Sequence, residues 1–268
     1  MIEQLLQQLS AQVLLGLLVG ARVAGLIATG PLFGAREVPA RLRAGLIVAL
    51  TVFLTPLVAA GRGGPVAGGP VTPRPALFIP ALCSELALGL LLGFACSLLL
   101  EAARLAGTAA NIQMSLGAAQ LFDPMAGEQA PFVGQLYHMV ALLVFLQING
   151  HHWLISAVAA SYAHIPLGAA VWPGLLANGM ADTLGLVFEM AIRIAAPALG
   201  ALFLADLGLG LLSRAVPQMQ VFIVGIPGKI MVGILILAVA APSITAAILH
   251  LLNGTGRMLS ALLRVMTP

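Results

Sequence analysis

Few side chains in this 268-residue sequence could do chemistry, and most of them sit inside apolar stretches. Glu189 and Arg193 are spaced i, i+4 with the acid first, the order that favours an ion pair on one helical face. Pro197 follows, removing a backbone donor and predicting a kink, and Asp206 lies further along the same stretch. Charges placed this way either neutralise one another or line a path for protons or ions. The spacing of Glu189 and Arg193 favours neutralisation, so these two residues and Asp206 are the candidate buried charge pairs. His151 and His152 are adjacent and cannot chelate from one helical face, as an i, i+4 pair could. The single lysine, Lys229, sits in GIPGKI, which lacks the upstream glycine and the following Ser or Thr of a phosphate-binding loop. Neither HExxH nor G-x-S-x-G occurs. The sequence therefore points to no catalytic residue, no metal site and no cofactor.

The elements that must position these groups follow from composition. Hydrophobic residues make up 60% of the chain and charged residues 8%, against roughly 25% charged in ordinary soluble domains. Mean hydropathy is +1.07. With 12 basic and 9 acidic side chains, a soluble protein of this length could not cover its surface. The reading is an integral membrane protein in contact with lipid, which excludes a secreted disulfide scaffold, a disordered chain and most soluble enzyme folds. The net charge of +3 does not imply nucleic acid, because the basic residues are scattered and form no phosphate track. Cys83 and Cys96 are too far apart along one apolar stretch to bridge.

Along the chain, apolar segments run from Leu5 to Gly30, Ala44 to Gly61, Ala76 to Ala106, Ala181 to Ser213 and Ile230 to Leu252. Two shorter ones run from Phe132 to Gly150 and from Trp153 to His164. The longer ones approach or exceed the ~20 residues that cross a bilayer core. The prediction is an all-α fold with five or six long helices, several kinked, arranged in helical hairpins. Loop Lys and Arg divide almost evenly between the two sides, so they orient the helices weakly.

Two further features stand out. Gly16, Gly20, Ala24 and Ala28 place a small residue at every fourth position of the first helix, a seam for close helix packing, with Arg22 on the opposite face. Gly89 and Gly93 repeat that signal. The stretch from about 108 to 131 is small, amide-rich and broken at Asp123-Pro124, which reads as a long loop of the functional or disordered kind. Its apolar residues Ile112, Met114, Leu116, Leu121 and Phe122 suit a re-entrant loop that packs for structural reasons.

Four separated segments carry a likeness: FGAREVPARLRAGL, IQMSLGAAQLFDPMAGEQAP, INGHHWLI and RAVPQMQVFIVGIPGKI. In order and spacing they resemble the signature regions of the FliR/SctT family of type III export-gate proteins. LFDP, INGHH and VPQMQVF favour its flagellar branch.

That resemblance implies a structural subunit that joins FliP and FliQ in a helical channel for unfolded flagellar export substrates. FlhB and FlhA would be neighbours, in the inner membrane at the flagellar basal body. It implies a FliP-like part over 1–170, a FliQ-like helical hairpin over 171–268, and a membrane arrangement other than simple spans. The loop at about 108–131 would plug the pore, with Ile112, Met114, Leu116, Leu121, Phe122, Asp123 and Pro124 as plug residues. The alternatives are an injectisome SctT-type subunit and a secondary transporter with a midplane charged site, whose paired halves are not evident in the sequence.

Overall fold

The computed structural model describes residues 2–34, 38–62, 75–116, 131–168, 173–215 and 221–253. Seven α-helices order these residues: α1 (Ile2–Thr29), α2 (Ala40–Leu57), α3 (Pro75–Gln113), α4 (Phe132–Gln147), α5 (Gly150–His164), α6 (Pro173–Ala215) and α7 (Val221–Asn253). No strand occurs among the described residues. At this hydrophobicity the backbone must satisfy its own hydrogen bonds, and the helix does so within one segment. Five stretches are long and apolar enough to cross a membrane: Gln12–Thr29, Ala40–Ala60, Phe78–Gln113, Thr183–Ala215 and Gly225–His250. The pair α4 and α5 makes a sixth if it is counted as one broken span.

Proline marks where several helices begin. Pro75 and Pro173 are first residues of α3 and α6, while Pro39 and Pro131 directly precede α2 and α4. A first-turn proline sacrifices no helical hydrogen bond, since its missing N–H has no partner there. Pro56 acts differently, because it lies inside α2. The helix gives way to a π-helical turn, Val58–Arg62, directly after it.

Two expected boundaries move. The apolar segment thought to end near Ala106 continues as helix to Gln113, so the first residues of the expected loop are helical. Alanines and short side chains at 106–110 sustain helix well enough once one face is covered. The last helix begins at Val221 rather than Ile230, with Pro227 accommodated inside it.

The chain forms two compact units that interleave along the sequence. One holds residues up to Leu98 together with Asn149–Leu184; the other holds Leu99–Ile148 and Gly185–Asn253. In the first, α1 is the centre. Gly16 and Gly20 face Thr55 and Thr51 of α2, so the first half of the predicted seam is an intramolecular contact. Ala24 is half-buried and Ala28 exposed, so the seam does not continue at full depth.

The closest helix approach lies elsewhere, at Gly25, Gly89 and Gly93. A methyl group on Gly25 would sit 2.5 Å from the carbonyl oxygen of Leu86, and one on Gly93 would sit 2.6 Å from that of Leu26. One on Gly89 would strike the carbonyl oxygen of Arg22. Backbones this close leave no room for a Cβ. Thr29 adds a hydroxyl hydrogen bond across the gap to the Leu90 carbonyl, at 2.8 Å.

In the second unit the end of α3 lies against the start of α4. Gly107 meets Val133 and Gly134, and Gly134 meets Thr108. The Val133 N–H donates to Asn111 Oδ1 at 3.3 Å, so a side chain of α3 satisfies a first-turn donor of α4. Helices α4 and α7 pack together in the same unit.

Candidate functional site

Two polar clusters among the described residues tie several helices together. The first is built around Arg22, whose side chain is fully buried, as is that of Glu85. Arg22 Nε donates to Glu85 Oε2 at 2.6 Å, Nη1 to Ser161 Oγ at 2.7 Å and Nη2 to the Ile165 carbonyl at 3.3 Å. Its guanidinium lies 4.2 Å from the centroid of the Tyr162 ring. The second Glu85 oxygen accepts from the Gly168 N–H at 2.9 Å, in a turn where Gly168 has φ +76°. Tyr162 donates to the Val19 carbonyl at 3.4 Å. One guanidinium thus ties α1 to α3, to α5 and to the turn after α5. A planar, delocalised cation with several fixed donors suits this role, and lysine would not.

Neither Arg22 nor Glu85 needs a partner subunit to neutralise it. The sequence did hold a signal: Arg22 is the one charge in the first apolar segment and Glu85 the first in the third, of opposite sign and each about a turn from glycines that bring helices together.

The second cluster joins α3, α6 and α7. Asp206 Oδ1 lies 2.7 Å from Lys229 Nζ. Gln113 Nε2 donates to Asp206 Oδ2 at 2.8 Å. Asp206 therefore belongs with the lysine of GIPGKI, a partner that the sequence reading did not assign to it. Lys229 is on a helix and holds a carboxylate. One residue past Gln113, Met114 is fully buried, and its side chain fills the space over Gly233, where an added methyl would sit 2.6 Å from its Cγ. Ser115 then takes a left-handed conformation, φ 59°, and donates its N–H to the Ile112 carbonyl at 2.9 Å, ending the helix. Ile112 points outward and is 71% exposed, while Leu116 is half-buried in the closing turn. Leu121, Phe122, Asp123 and Pro124 lie outside the described residues.

Glu189 and Arg193 form the expected pair, at 2.7 Å. It is not buried by this chain, however: the side chains are 52% and 68% exposed, beside the exposed Phe188 and Ile192. The sequence marked an apolar helix but could not show which face the chain leaves uncovered. His151 and His152 stand at the start of α5 with their rings edge to face, 4.4 Å apart, after Asn149 in a left-handed conformation. Among the described residues no three metal-ligating side chains converge.

Long apolar helices, backbone-close crossings and internally neutralised charges define a helical integral membrane protein. The match to the family of bacterial export proteins, family 1, spans residues 13–255, and the chain belongs to that family. It is 32% identical to the flagellar biosynthetic protein FliR of Bacillus subtilis over 248 residues, 89% of this chain and 90% of the relative. It is 31% identical to the FliR of Escherichia coli over 239 residues, 89% and 88% of the two chains. The Yop proteins translocation protein T of Yersinia pestis is 28% identical over 202 residues, 74% of each chain.

Proposed function

We propose that this chain is a structural, non-catalytic subunit of the type III protein export gate of the bacterial flagellum. It sits in the inner membrane at the flagellar basal body and joins FliP- and FliQ-like chains in the channel for unfolded flagellar subunits. FlhB- and FlhA-like proteins are its neighbours. The family match over residues 13–255 carries this reading. The two flagellar relatives named above are 32% and 31% identical over about nine-tenths of their length and the Yop translocation relative 28% over 74%, which favours the flagellar system over the injectisome.

Within the chain, residues 1–170 act as the FliP-like part and 171–268 as the FliQ-like hairpin, whose helices are α6 and α7. The segment that follows α3 plugs the pore at rest. Its described base supports that role: Met114 is a flexible apolar side chain seated on a glycine, a contact that can form and break without leaving a polar group unpaired.

Introducing the chain into a bacterium deleted for its own FliR tests the reading. Restored motility and secretion, with FliP- and FliQ-like chains recovered on a tagged copy in mild detergent, are expected. A membrane-inserted chain that restores neither and purifies alone sinks the reading.

A further inference from the structure

We propose that Asp206, Lys229 and Gly233 form a latch for the C-terminal turn of α3, and that export requires this latch to open. The inference rests on the reading that the segment beginning at Met114 closes the export path.

Three observations carry it. The α3 terminus is held to the α6–α7 pair by two different contacts on consecutive residues: Gln113 Nε2 to Asp206 Oδ2 at 2.8 Å, and Met114 onto Gly233. The pairing of Asp206 with Lys229 at 2.7 Å aims the carboxylate, leaving its second oxygen for Gln113. Glycine at 233 lets the methionine lie flat against α7, since an added methyl would sit 2.5 to 2.8 Å from Met114 Cε, Cγ and Sδ and would force that side chain to shift.

The contact is also built to be reversible. Gln113 is neutral, so withdrawing it leaves the Asp206–Lys229 charges still paired, and no ion is stranded in an apolar setting. Asp206 is about one-third exposed, and solvent can replace the amide. Met114 gives up dispersion contacts, but no directed bond. By contrast, Asn111 Oδ1 on the Val133 N–H and the tight Gly107–Gly134 approach fix the preceding turns of α3 to α4. The hinge therefore falls between Asn111 and Met114, and Ser115 in its left-handed conformation redirects the chain beyond it. Lys229 and Asp206 are positioning residues in this scheme: they hold the turn that holds the closed state.

A reversible covalent lock tests it in the assembled complex in cell membranes. Met114→Cys with Gly233→Cys places two thiols where the Met114 Cγ now lies 2.6 Å from a Cβ built at 233. A cysteine sulfur at 114 would occupy about the place of that Cγ, next to the Cβ at 233, which is where a bridging sulfur must lie. The exposed Cys83 is changed to Ser to avoid competing bridges. Oxidation is expected to form the bond in the resting gate and to slow secretion about tenfold or more, with recovery on adding reductant, as a coupling of that size predicts. Secretion that continues with the bond formed as fast as in the unbridged dithiol form overturns the latch, and so does a pair that never cross-links in the resting gate.

A second measurement reads the closed state. Lys229→Met, which keeps length and loses charge, is expected to raise resting ion leak about tenfold at equal recovery of the complex, the shift given by ~1.4 kcal/mol of closed-state preference. Lys229→Arg is expected to stay as tight as the parent. A Lys229→Met gate as tight as the parent overturns the proposal. If the unaltered chain fails to support secretion, the export reading falls instead, while cross-linking and leak still report on the latch.

Discussion

Arg22 shows what a charge inside an apolar helix requires. Each of its three guanidinium nitrogens has a partner, a carboxylate, a hydroxyl and a carbonyl, and a ring lies over its face. Removing one member strands the other in a site without water, which typically costs ~3–5 kcal/mol. Arg22→Met or Glu85→Met alone is therefore expected to lower the thermal midpoint of the purified complex in detergent substantially. The double change should lose less, since it strands no charge and leaves only neutral groups such as the Gly168 N–H unpaired, at ~1–3 kcal/mol each. A double variant as unstable as both singles together would show that the two residues act through separate partners. Both residues were visible in the sequence as charges of opposite sign within apolar segments. Their pairing was not, because Ser161, Ile165 and Gly168 come to the site from a distant part of the chain.

Helix spacing here is governed by glycines on facing elements, and they are not equivalent. Gly25, Gly89 and Gly93 mark a crossing where backbone touches backbone, whereas Gly185 on α6 has open space where a Cβ would be. Gly89→Ala is expected to wedge α1 from α3 at the Arg22 carbonyl, destabilising by ~1–3 kcal/mol. Gly185→Ala should be neutral or stabilising, by up to ~1 kcal/mol from helix propensity. Thermal unfolding of the two variants side by side checks this, and equal effects would mean that the crossing is looser than the distances imply. The seam at Gly16 and Gly20 was legible from periodicity, and its partner proved to be α2. Gly25 was missed because its neighbours follow a different spacing. Only the opposing Gly89 reveals it.

At the scale of the molecule, Arg22 and Glu85 are neutralised deep inside, while α6 leaves an apolar surface with an ion pair upon it. Phe188, Ile192, Phe203, Leu204, Leu207 and Leu211 are all exposed on α6, with Glu189 and Arg193 among them. Lipid would solvate such a pair poorly, so that face is suited to another protein chain. Glu189→Ala and Arg193→Ala are expected to leave the separately purified chain as protease-resistant as the parent. Each should reduce recovery of the assembled complex, and the double change should reduce it less, since it buries no unpaired charge. Co-purification yield with partner subunits, measured beside limited proteolysis of the chain alone, separates the two effects. Equal losses in all three variants would assign Glu189 and Arg193 different partners.

The sequence alone determined the class of protein, because hydrophobicity this high leaves helix as the one economical way to satisfy a backbone in lipid. It also determined the number of long helices, the intrahelical Glu189–Arg193 pair and the Gly16–Gly20 seam, since each depends on spacing within a single helix. Four motifs in register pointed to the export family. What tertiary structure decided were the relations between segments remote in sequence: Arg22 with Glu85, Asp206 with Lys229, Met114 on Gly233, and the exposed face of α6. Local periodicity encodes which side of a helix is apolar, but not which other helix covers it. That choice is made by shape and charge complementarity between elements, which appear only when the chain has folded.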